Sequence, residues 1–207
     1  MLTYAMLGAT YAVAAAAQPG QFQAYLIAMT MAHGWRRTIP VALAPIFSDL
    51  PVIALVLFVL TRVPPLFVSG LQLVGGVFLV YLAAGTLRAK TSQGGLAQAG
   101  GAVRQTVLKA ALVNLLNPNP YIAWALILGP ILIGAWRQAP SQGAAFLVAF
   151  YVTMVAATAL IVVAFGAARA VGPRLARGLQ VVSGVALAAF GVYQLWAGSR
   201  ALWLVSG

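Results

Sequence analysis

Six long apolar stretches, separated by short polar connections, constrain this chain more than any other feature of its sequence. A membrane hydrocarbon core is about 30 Å thick, and a helix of roughly 20 apolar residues crosses it. Each stretch reaches that length, and together they cover Leu2–Met31, Thr38–Thr61, Pro65–Leu87, Gln105–Ile133, Ser141–Phe165 and Leu175–Ala197. The pattern predicts an all-α integral membrane protein with six transmembrane helices.

Composition and charge argue against the main alternatives. Of the 207 residues, 63% are hydrophobic and only 6% are charged, whereas about 25% are charged in soluble domains. The net charge is +11, but the basic residues lie singly or in small groups between apolar stretches, so we expect no nucleic-acid partner. With no cysteine and one histidine, we also expect no disulfide, no metal site and no cofactor.

The distribution of basic residues predicts the orientation. Nine lie in the first, third and fifth connections: Arg36, Arg37, Arg88, Lys90, Arg104, Lys109, Arg169, Arg174 and Arg177. Three lie on the opposite side: Arg62, Arg137 and Arg200. Because loops rich in Lys and Arg stay in the cytoplasm, both termini are predicted outside. This prediction requires the first stretch to cross the membrane only once.

The two halves of the chain are related in sequence. Leu71–Arg88 and Leu179–Trp196 align without gaps, with seven of 18 positions identical. Because each half holds three spans, the halves must have opposite orientations, and inverted repeats of this kind are a transporter architecture. We predict a single transporter domain over residues 1–207, with repeat one about 1–90 and repeat two about 104–200. A flexible, glycine-containing connection is predicted between them.

Two proline motifs interrupt matching stretches of the two halves, Gln18-Pro19-Gly20-Gln21 in the first and Asn117-Pro118-Asn119-Pro120 in the fourth. Proline removes a backbone N–H and breaks a helix, and the freed groups must be buried in protein or line a wet cavity. Broken helices in corresponding positions point to a binding site at the membrane midplane. The alternative is that the prolines merely kink their helices. The predicted substrate-binding residues are Gln18, Pro19, Gly20, Gln21, Asn117, Pro118 and Asn119.

Asp49 is the only acidic residue of the chain, and it lies near the centre of the second stretch. A charge at the bilayer centre costs about 2.5–3.5 kcal/mol on insertion scales, so such residues face the protein interior and mark functional sites. We predict that Asp49 binds substrate and couples an ion, as a proton carrier or as an anchor for a substrate ammonium group. A structural role is the alternative, either as an interhelical hydrogen bond or as a cap between Pro45 and Pro51.

The order of these motifs is similar to that of a known family. A proline-glycine break precedes Gly34-Trp35-Arg36-Arg37 and then Asp49, followed by Tyr81-Leu82-Ala83-Ala84-Gly85 and Asn114-Leu115-Leu116-Asn117-Pro118. Over nearly its whole length the chain resembles the LysE/RhtB superfamily of amino-acid exporters. The resemblance implies a six-helix bundle in a bacterial inner membrane that exports amino acids or similar metabolites, coupled to an ion gradient. It marks Pro19, Gly20, Asp49, Asn117 and Pro118 as motif residues, and Asn114 joins the candidate site.

Three positions depart from the usual family pattern. Gln21 stands where a second proline is usual, Ser48 where glycine usually precedes the aspartate, and Asn119 where lysine commonly follows the Asn-Pro pair of the second half. All three lie where the substrate should bind, so they bear on the substrate more than on the fold.

We therefore predict a secondary transporter and weigh it against two rival classes. An enzyme is not expected, because no Ser/His or Asp/Asp pair is available for catalysis. A non-catalytic membrane scaffold or accessory subunit is the alternative, with Asp49 pairing with a cation of another protein. The expected partners are a small-molecule substrate (an amino acid or related amine) and the lipid bilayer. The glycine-rich third stretch permits a homodimer.

Overall fold

The computed structural model describes residues 1–56, 64–88 and 99–206, and these ranges contain helices and no β-strand. This all-helical architecture confirms the all-α part of the predicted fold class. The helices are α1 (Leu2–Ala17), α2 (Gln21–His33), α3 (Trp35–Thr38), α4 (Ala44–Ala54), α5 (Pro65–Arg88), α6 (Ala99–Leu115), α7 (Pro118–Ala123), α8 (Gly129–Gln138), α9 (Pro140–Val171) and α10 (Pro173–Ser206). A 3-10 segment, Ile39–Leu43, joins α3 to α4, and a π-helical segment, Trp124–Leu128, joins α7 to α8.

Five helical stretches in the described residues are long and apolar enough to cross a membrane: Trp35–Ala54, Leu66–Arg88, Pro118–Gln138, Pro140–Val171 and Pro173–Trp203. Helix α1 is also apolar but has only 16 residues. At 1.5 Å per residue it is about 24 Å long, which is shorter than the hydrocarbon core. A crossing by the first apolar stretch therefore needs α1 and α2 together.

Proline causes both helix breaks, at the predicted positions. Helix α1 ends at Ala17, and α2 begins at Gln21 after an extended Gly20. Helix α6 ends at Leu115, and α7 begins at Pro118. The side chain of Asn117 caps α7 by accepting a hydrogen bond from the backbone N–H of Asn119 at 3.1 Å, a common way to satisfy a free N–H at a helix start.

The first break does not reverse the direction of the chain. Gly8 of α1 packs against the backbone of Phe146, near the start of α9, whereas Trp35 of α3 packs against Gly166, near its end. The chain from α1 to α3 thus advances along α9 from one end of the bundle to the other. The predicted orientation requires a single passage of this kind, and the orientation itself stays a prediction.

Most basic residues of the described ranges gather at the end of the bundle where α9 finishes. Arg169 lies against Gly34, whose φ of 84° and close contact both favour glycine. Arg177 donates a hydrogen bond to the carbonyl of Leu87 at 3.0 Å. We call this the basic end; its residues are Arg36, Arg37, Arg88, Arg104, Lys109, Arg169, Arg174 and Arg177. Arg137 and Arg200 lie at the opposite end, while Arg62 and Lys90 lie outside the described residues.

Helices α5 and α10, which carry the related segments of the two halves, pack against each other in antiparallel fashion. Gly76 lies against Gly191 and Leu195, and Gly184 lies against Leu87. A Cβ atom at either Gly76 or Gly184 would come within 2.9 Å of its neighbours. The glycines therefore allow the close helix approach that is typical of membrane bundles.

The connection between the halves is shorter than predicted. We expected a flexible connection up to Arg104, but α6 begins at Ala99, so Gly100 and Gly101 are helical. Two adjacent glycines lower helix stability by about 1 kcal/mol each, and the following helix-forming residues outweigh that cost here. Residues 89–98 of the predicted connection lie outside the described residues.

The last two helices extend beyond their predicted bounds. The predicted Ser141–Phe165 is Pro140–Val171 in the structure, and the predicted Leu175–Ala197 is Pro173–Ser206. Apolar windows detect only the part of a helix that matches the hydrocarbon core, whereas the polar and basic turns at its ends stay helical in water. Residues 57–61 of the second predicted span lie outside the described residues.

Two apolar clusters lie on opposite sides of the breaks. The first, on the side of the basic end, contains residues of α2, α4, α5, α6, α9 and α10, and includes Tyr25, Leu26 and Val113. The second, on the other side, contains residues of α1, α4, α7, α8, α9 and the π-helical segment, and includes Trp124 and Phe150. Polar groups at the breaks are thus enclosed between two packed apolar layers, which we call the basic-end cluster and the opposite cluster.

Candidate functional site

A cavity forms where the two broken helices meet α4 and α9. The cavity has a volume of about 130 Å³ and is partly open to the protein surface; a cavity of roughly 150 Å³ holds a ligand the size of benzene, so this one suits a small molecule. Its polar lining comes from the two breaks and from α4, and comprises Gln18, Gln23, Asp49, Asn114, Asn117 and Asn119. Its apolar walls include Phe22, Trp124, Leu128, Phe150 and Met154.

Asp49 lies at the centre of this arrangement, with only 5% of its surface exposed. Its Oδ1 accepts a hydrogen bond from Asn114 Nδ2 at 2.8 Å, and its Oδ2 accepts one from Tyr151 Oη at 3.5 Å. The Trp124 side chain is a third donor beside the carboxyl group. Each of these groups is neutral, and no cation acts on Asp49 among the described residues. Within the described part of the chain, the carboxyl group is therefore solvated by dipoles and has no charge partner.

The local sequence of α4 directs Asp49 inward. Ser48 Oγ donates to the carbonyls of Ala44 at 3.1 Å and Pro45 at 3.3 Å, so its polar group is satisfied within its own helix. Ser48 Oγ also accepts a hydrogen bond from Asn114 Nδ2 at 2.8 Å. The one amide group of Asn114 therefore joins α6 to two successive residues of α4, which ties the end of the second broken helix to the acidic residue.

Side chains pair with backbone carbonyls at both helix breaks. At the first break, Gln23 Nε2 donates to the carbonyls of Ala16 at 3.2 Å and Ala15 at 3.4 Å. At the second break, Tyr121 Oη donates to the carbonyl of Leu115 at 3.0 Å. Non-helical backbone at membrane depth is tolerated only when such groups are paired or face a wet cavity, and both conditions hold here.

Seven of the nine predicted site residues lie in the cavity lining: Gln18, Pro19, Gly20, Asp49, Asn114, Asn117 and Asn119. The other two are not brought to it. Pro118 is buried as the first residue of α7. Gln21 is buried on another face of α2, where its Oε1 accepts a hydrogen bond from Gln194 Nε2 of α10 at 3.1 Å.

Sequence reasoning missed most of the remaining lining. Gln23 lies two residues past the predicted motif, and its amide could have been included because Pro19 leaves carbonyls that need a donor. Phe150, Met154 and Tyr151 come from α9, whose apolar residues surround the whole helix, so no face of it was distinguished. Trp124 is buried and forms part of the cavity wall.

The polar groups of this cavity can bind a small molecule or a proton. Among the described residues, no group of His, Cys, Asp or Glu could hold a metal ion, and the only acidic side chain has three hydrogen-bond donors around it. A buried carboxyl group without a cation can accept a proton or bind an ammonium group, since either provides the missing positive charge. The amide side chains add donors and acceptors for a small polar molecule.

These features define a multi-pass membrane protein with a polar binding cavity between two broken helices. A family model described as LysE type translocator matches residues 13–198, about nine-tenths of the chain. The chain therefore belongs to the LysE type translocator family, which is a family of transporters rather than of enzymes. Its members handle amino acids or related compounds. Comparisons with curated proteins and with solved structures gave no match.

Proposed function

We propose that this chain is a secondary transporter that exports amino acids or similar small metabolites across a bacterial inner membrane, coupled to an ion gradient by alternating access. The observation that carries the proposal is the position of Asp49. It is buried, has no cation of its own among the described residues, and lines the cavity between the two helix breaks. Broken helices and an intramembrane acidic residue at one site are typical of ion-coupled transporters.

In this proposal the chain crosses the membrane six times, as two inverted three-helix repeats in one domain. Support comes from the joint passage of α1 and α2 along α9 and from the matching breaks in the first and fourth spans. The basic end faces the cytoplasm, following the preference of Lys and Arg for cytoplasmic loops, and both termini lie outside. A homodimer stays a prediction, as does the exact division into repeats.

The polarity of the cavity favours an amino acid as substrate. The carboxyl group of Asp49 attracts the substrate ammonium group. Pro19 and Gly20 line the cavity immediately before α2, so the partial positive charge at the start of that 13-residue helix is directed at the substrate carboxylate. The walls formed by Phe150 and Met154 suit an apolar or small side chain. Together these groups match the two opposite charges of a zwitterion.

The two apolar clusters supply the gates that alternating access requires. The basic-end cluster, which includes Tyr25 and Val113, closes the cavity toward the proposed cytoplasmic side. When the basic-end cluster parts, the opposite cluster, which includes Trp124 and Phe150, closes the cavity toward the outside. Parting one cluster while the other stays packed exposes Asp49 to a single side. An Asp49 that exchanges a proton for the substrate ammonium then couples transport to the gradient.

A thermal-shift screen of the detergent-purified chain tests the substrate class. A ligand that binds the folded state raises the melting temperature by mass action. We expect amino acids to raise it, and their N-acetyl derivatives, which lack the ammonium group, to leave it unchanged. Equal shifts from an amino acid and its N-acetyl derivative would contradict the role of Asp49 as the ammonium anchor.

Flux measurements separate a transporter from the scaffold alternative. The protein is reconstituted into liposomes loaded with the amino acid found in the screen, and efflux of radiolabel is followed. We expect efflux that saturates with substrate concentration and depends on the protein. Liposomes that lose label no faster than protein-free controls would contradict the transporter proposal and favour a scaffold.

A further inference from the structure

Gln194 of α10 is a buried amide with one unpartnered oxygen. Only 4% of its surface is exposed, and its Nε2 donates to Gln21 Oε1 at 3.1 Å. Its own Oε1 has no hydrogen-bond partner within the described part of the chain. A buried polar atom without a partner costs about 1–3 kcal/mol, so this oxygen calls for an explanation.

A second oxygen lies beside it, at the second helix break. A Cβ atom built on Gly75 of α5 would lie 2.7 Å from Gln194 Oε1 and 2.7 Å from the carbonyl oxygen of Leu116. Each oxygen lies 2.7 Å from the same point, so the two oxygens are no more than about twice that distance apart. Any residue other than glycine at position 75 would place its Cβ atom at that point. Gln21 Oε1 is the third oxygen of the group, through its bond to Gln194.

The sequence explains why the Leu116 carbonyl is available. Leu116 lies in the turn after α6, and the N–H that a helical carbonyl at this position would accept belongs to residue 120, which is Pro120 and has none. Tyr121 Oη is bonded to the neighbouring carbonyl of Leu115, so it serves a different acceptor. Leu116 also follows the last residue of α6, where the helix dipole places partial negative charge.

We propose that Gln194 Oε1, the Leu116 carbonyl and Gln21 Oε1 form a binding site for a sodium ion. The two oxygens near Gly75 repel each other, and a positive charge that contacts both removes that repulsion. Gln21 Oε1 joins the group through its bond to Gln194. Calcium lies about 2.3–2.6 Å from its oxygen ligands, and two oxygens this close together can both contact a sodium ion, which has a similar radius, set back from the Gly75 backbone. The ligands are neutral, which suits a monovalent cation better than a divalent one that prefers carboxylates.

The position of this site gives it a role in coupling, and that role rests on the proposed function above. Leu116 lies two residues after Asn114, whose side chain is bonded to Asp49. An ion bound to the Leu116 carbonyl thus stabilises the second helix break, which also positions the Asn114 side chain beside the Asp49 carboxyl group. Carbonyls of unwound helix segments coordinate the coupling ion in several transporters. Sodium occupancy therefore favours the arrangement of Asp49 that binds substrate.

The first test measures sodium binding directly, without transport. The purified full-length chain is unfolded thermally in NaCl, KCl or choline chloride at constant ionic strength. We expect NaCl alone to raise the melting temperature in a saturable manner. In Gln194→Leu the half-saturating sodium concentration should rise roughly tenfold or more, since a bond to a charged group is lost. The matched control is Gln180→Leu, a buried glutamine of the same helix bonded to the Thr86 carbonyl, which should keep the wild-type sodium response.

A second pair of variants keeps the test decisive if Gln194→Leu does not fold. Gly75→Ala places a methyl group against both oxygens and should abolish the sodium shift, whereas Gly70→Ala, whose added methyl group would meet no atom within 4 Å, should retain it. Equal melting temperatures in sodium and choline, or the same shift with potassium, would overturn the proposal. A sodium shift without stabilisation by amino acids would instead contradict only the proposed function.

Discussion

Replacing Asn114 with leucine tests whether hydrogen bonds at Asp49 hold the site together. The Asn114 amide donates to Asp49 Oδ1 and to Ser48 Oγ, both at 2.8 Å. Leucine is close to asparagine in size but has no donor, so both bonds are lost without opening a large cavity. Asp49 would keep only the longer bond from Tyr151 and the Trp124 donor.

The magnitude follows from the two bonds. A hydrogen bond to a charged group contributes about 1.5–3 kcal/mol to stability, and one between neutral groups about 0.5–1.5 kcal/mol. Because both acceptors are buried, water replaces the lost donor poorly. We therefore expect Asn114→Leu to lower the free energy of unfolding by about 2–4 kcal/mol.

Equilibrium unfolding in mixed micelles, by titration with sodium dodecyl sulfate and tryptophan fluorescence, measures this change. The matched control is Asn119→Leu, because Asn119 is exposed and contributes its backbone N–H, which the substitution retains. An exposed substitution usually changes stability by less than about 0.5 kcal/mol. We expect the control to stay within that range.

A double-mutant cycle with Asp49→Asn assigns the loss to the Asn114–Asp49 contact. Residues that share a hydrogen bond show interaction energies of about 0.5–3 kcal/mol, whereas independent sites add within about 0.5 kcal/mol. We expect a coupling above about 1 kcal/mol. Additive effects, or an Asn114→Leu variant as stable as the Asn119 control, would refute the reasoning.

Two further predictions concern the bundle and the second break. Gly8→Ala should lower the free energy of unfolding by about 1–3 kcal/mol, because its methyl group meets the carbonyl oxygen of Phe146. Gly134→Ala has open space for its methyl group and should raise the free energy of unfolding by up to about 1 kcal/mol. Equal melting temperatures for the Gly8→Ala and Gly134→Ala variants would contradict the α1–α9 contact. Tyr121→Phe should cost about 1–3 kcal/mol because the Leu115 carbonyl loses its donor, and a wild-type titration curve would contradict this assignment.

The parts of the fold that depend on covalent chemistry could be predicted from the sequence. Proline lacks an N–H in every environment, so Pro19, Pro118 and Pro120 favour the breaks after Ala17 and Leu115, although Pro51 lies inside α4 without ending it. Helix length in apolar stretches is set by the thickness of the bilayer. The burial of Asp49 follows from its cost in lipid.

The parts that depend on helix rotation could not be predicted. Gln21 and Gln23 have the same side chain and lie two residues apart, but successive residues of a helix point about 100° apart, so one faces α10 and the other faces the first break. Helix α9 is apolar on every side, and nothing in its sequence distinguishes Phe150 or Met154 as cavity residues. Only packing against α1 and the π-helical segment orients them.

The proton dependence of flux through Asp49 variants tests the central claim most directly. Liposomes containing wild-type, Asp49→Asn or Asp49→Glu protein are given a pH gradient, and movement of the amino acid identified by thermal shift is followed. We expect gradient-driven transport by the wild type, its loss in Asp49→Asn, and partial recovery in Asp49→Glu, which keeps a carboxyl group. Transport by Asp49→Asn at the wild-type rate, with the wild-type pH dependence, would contradict the account.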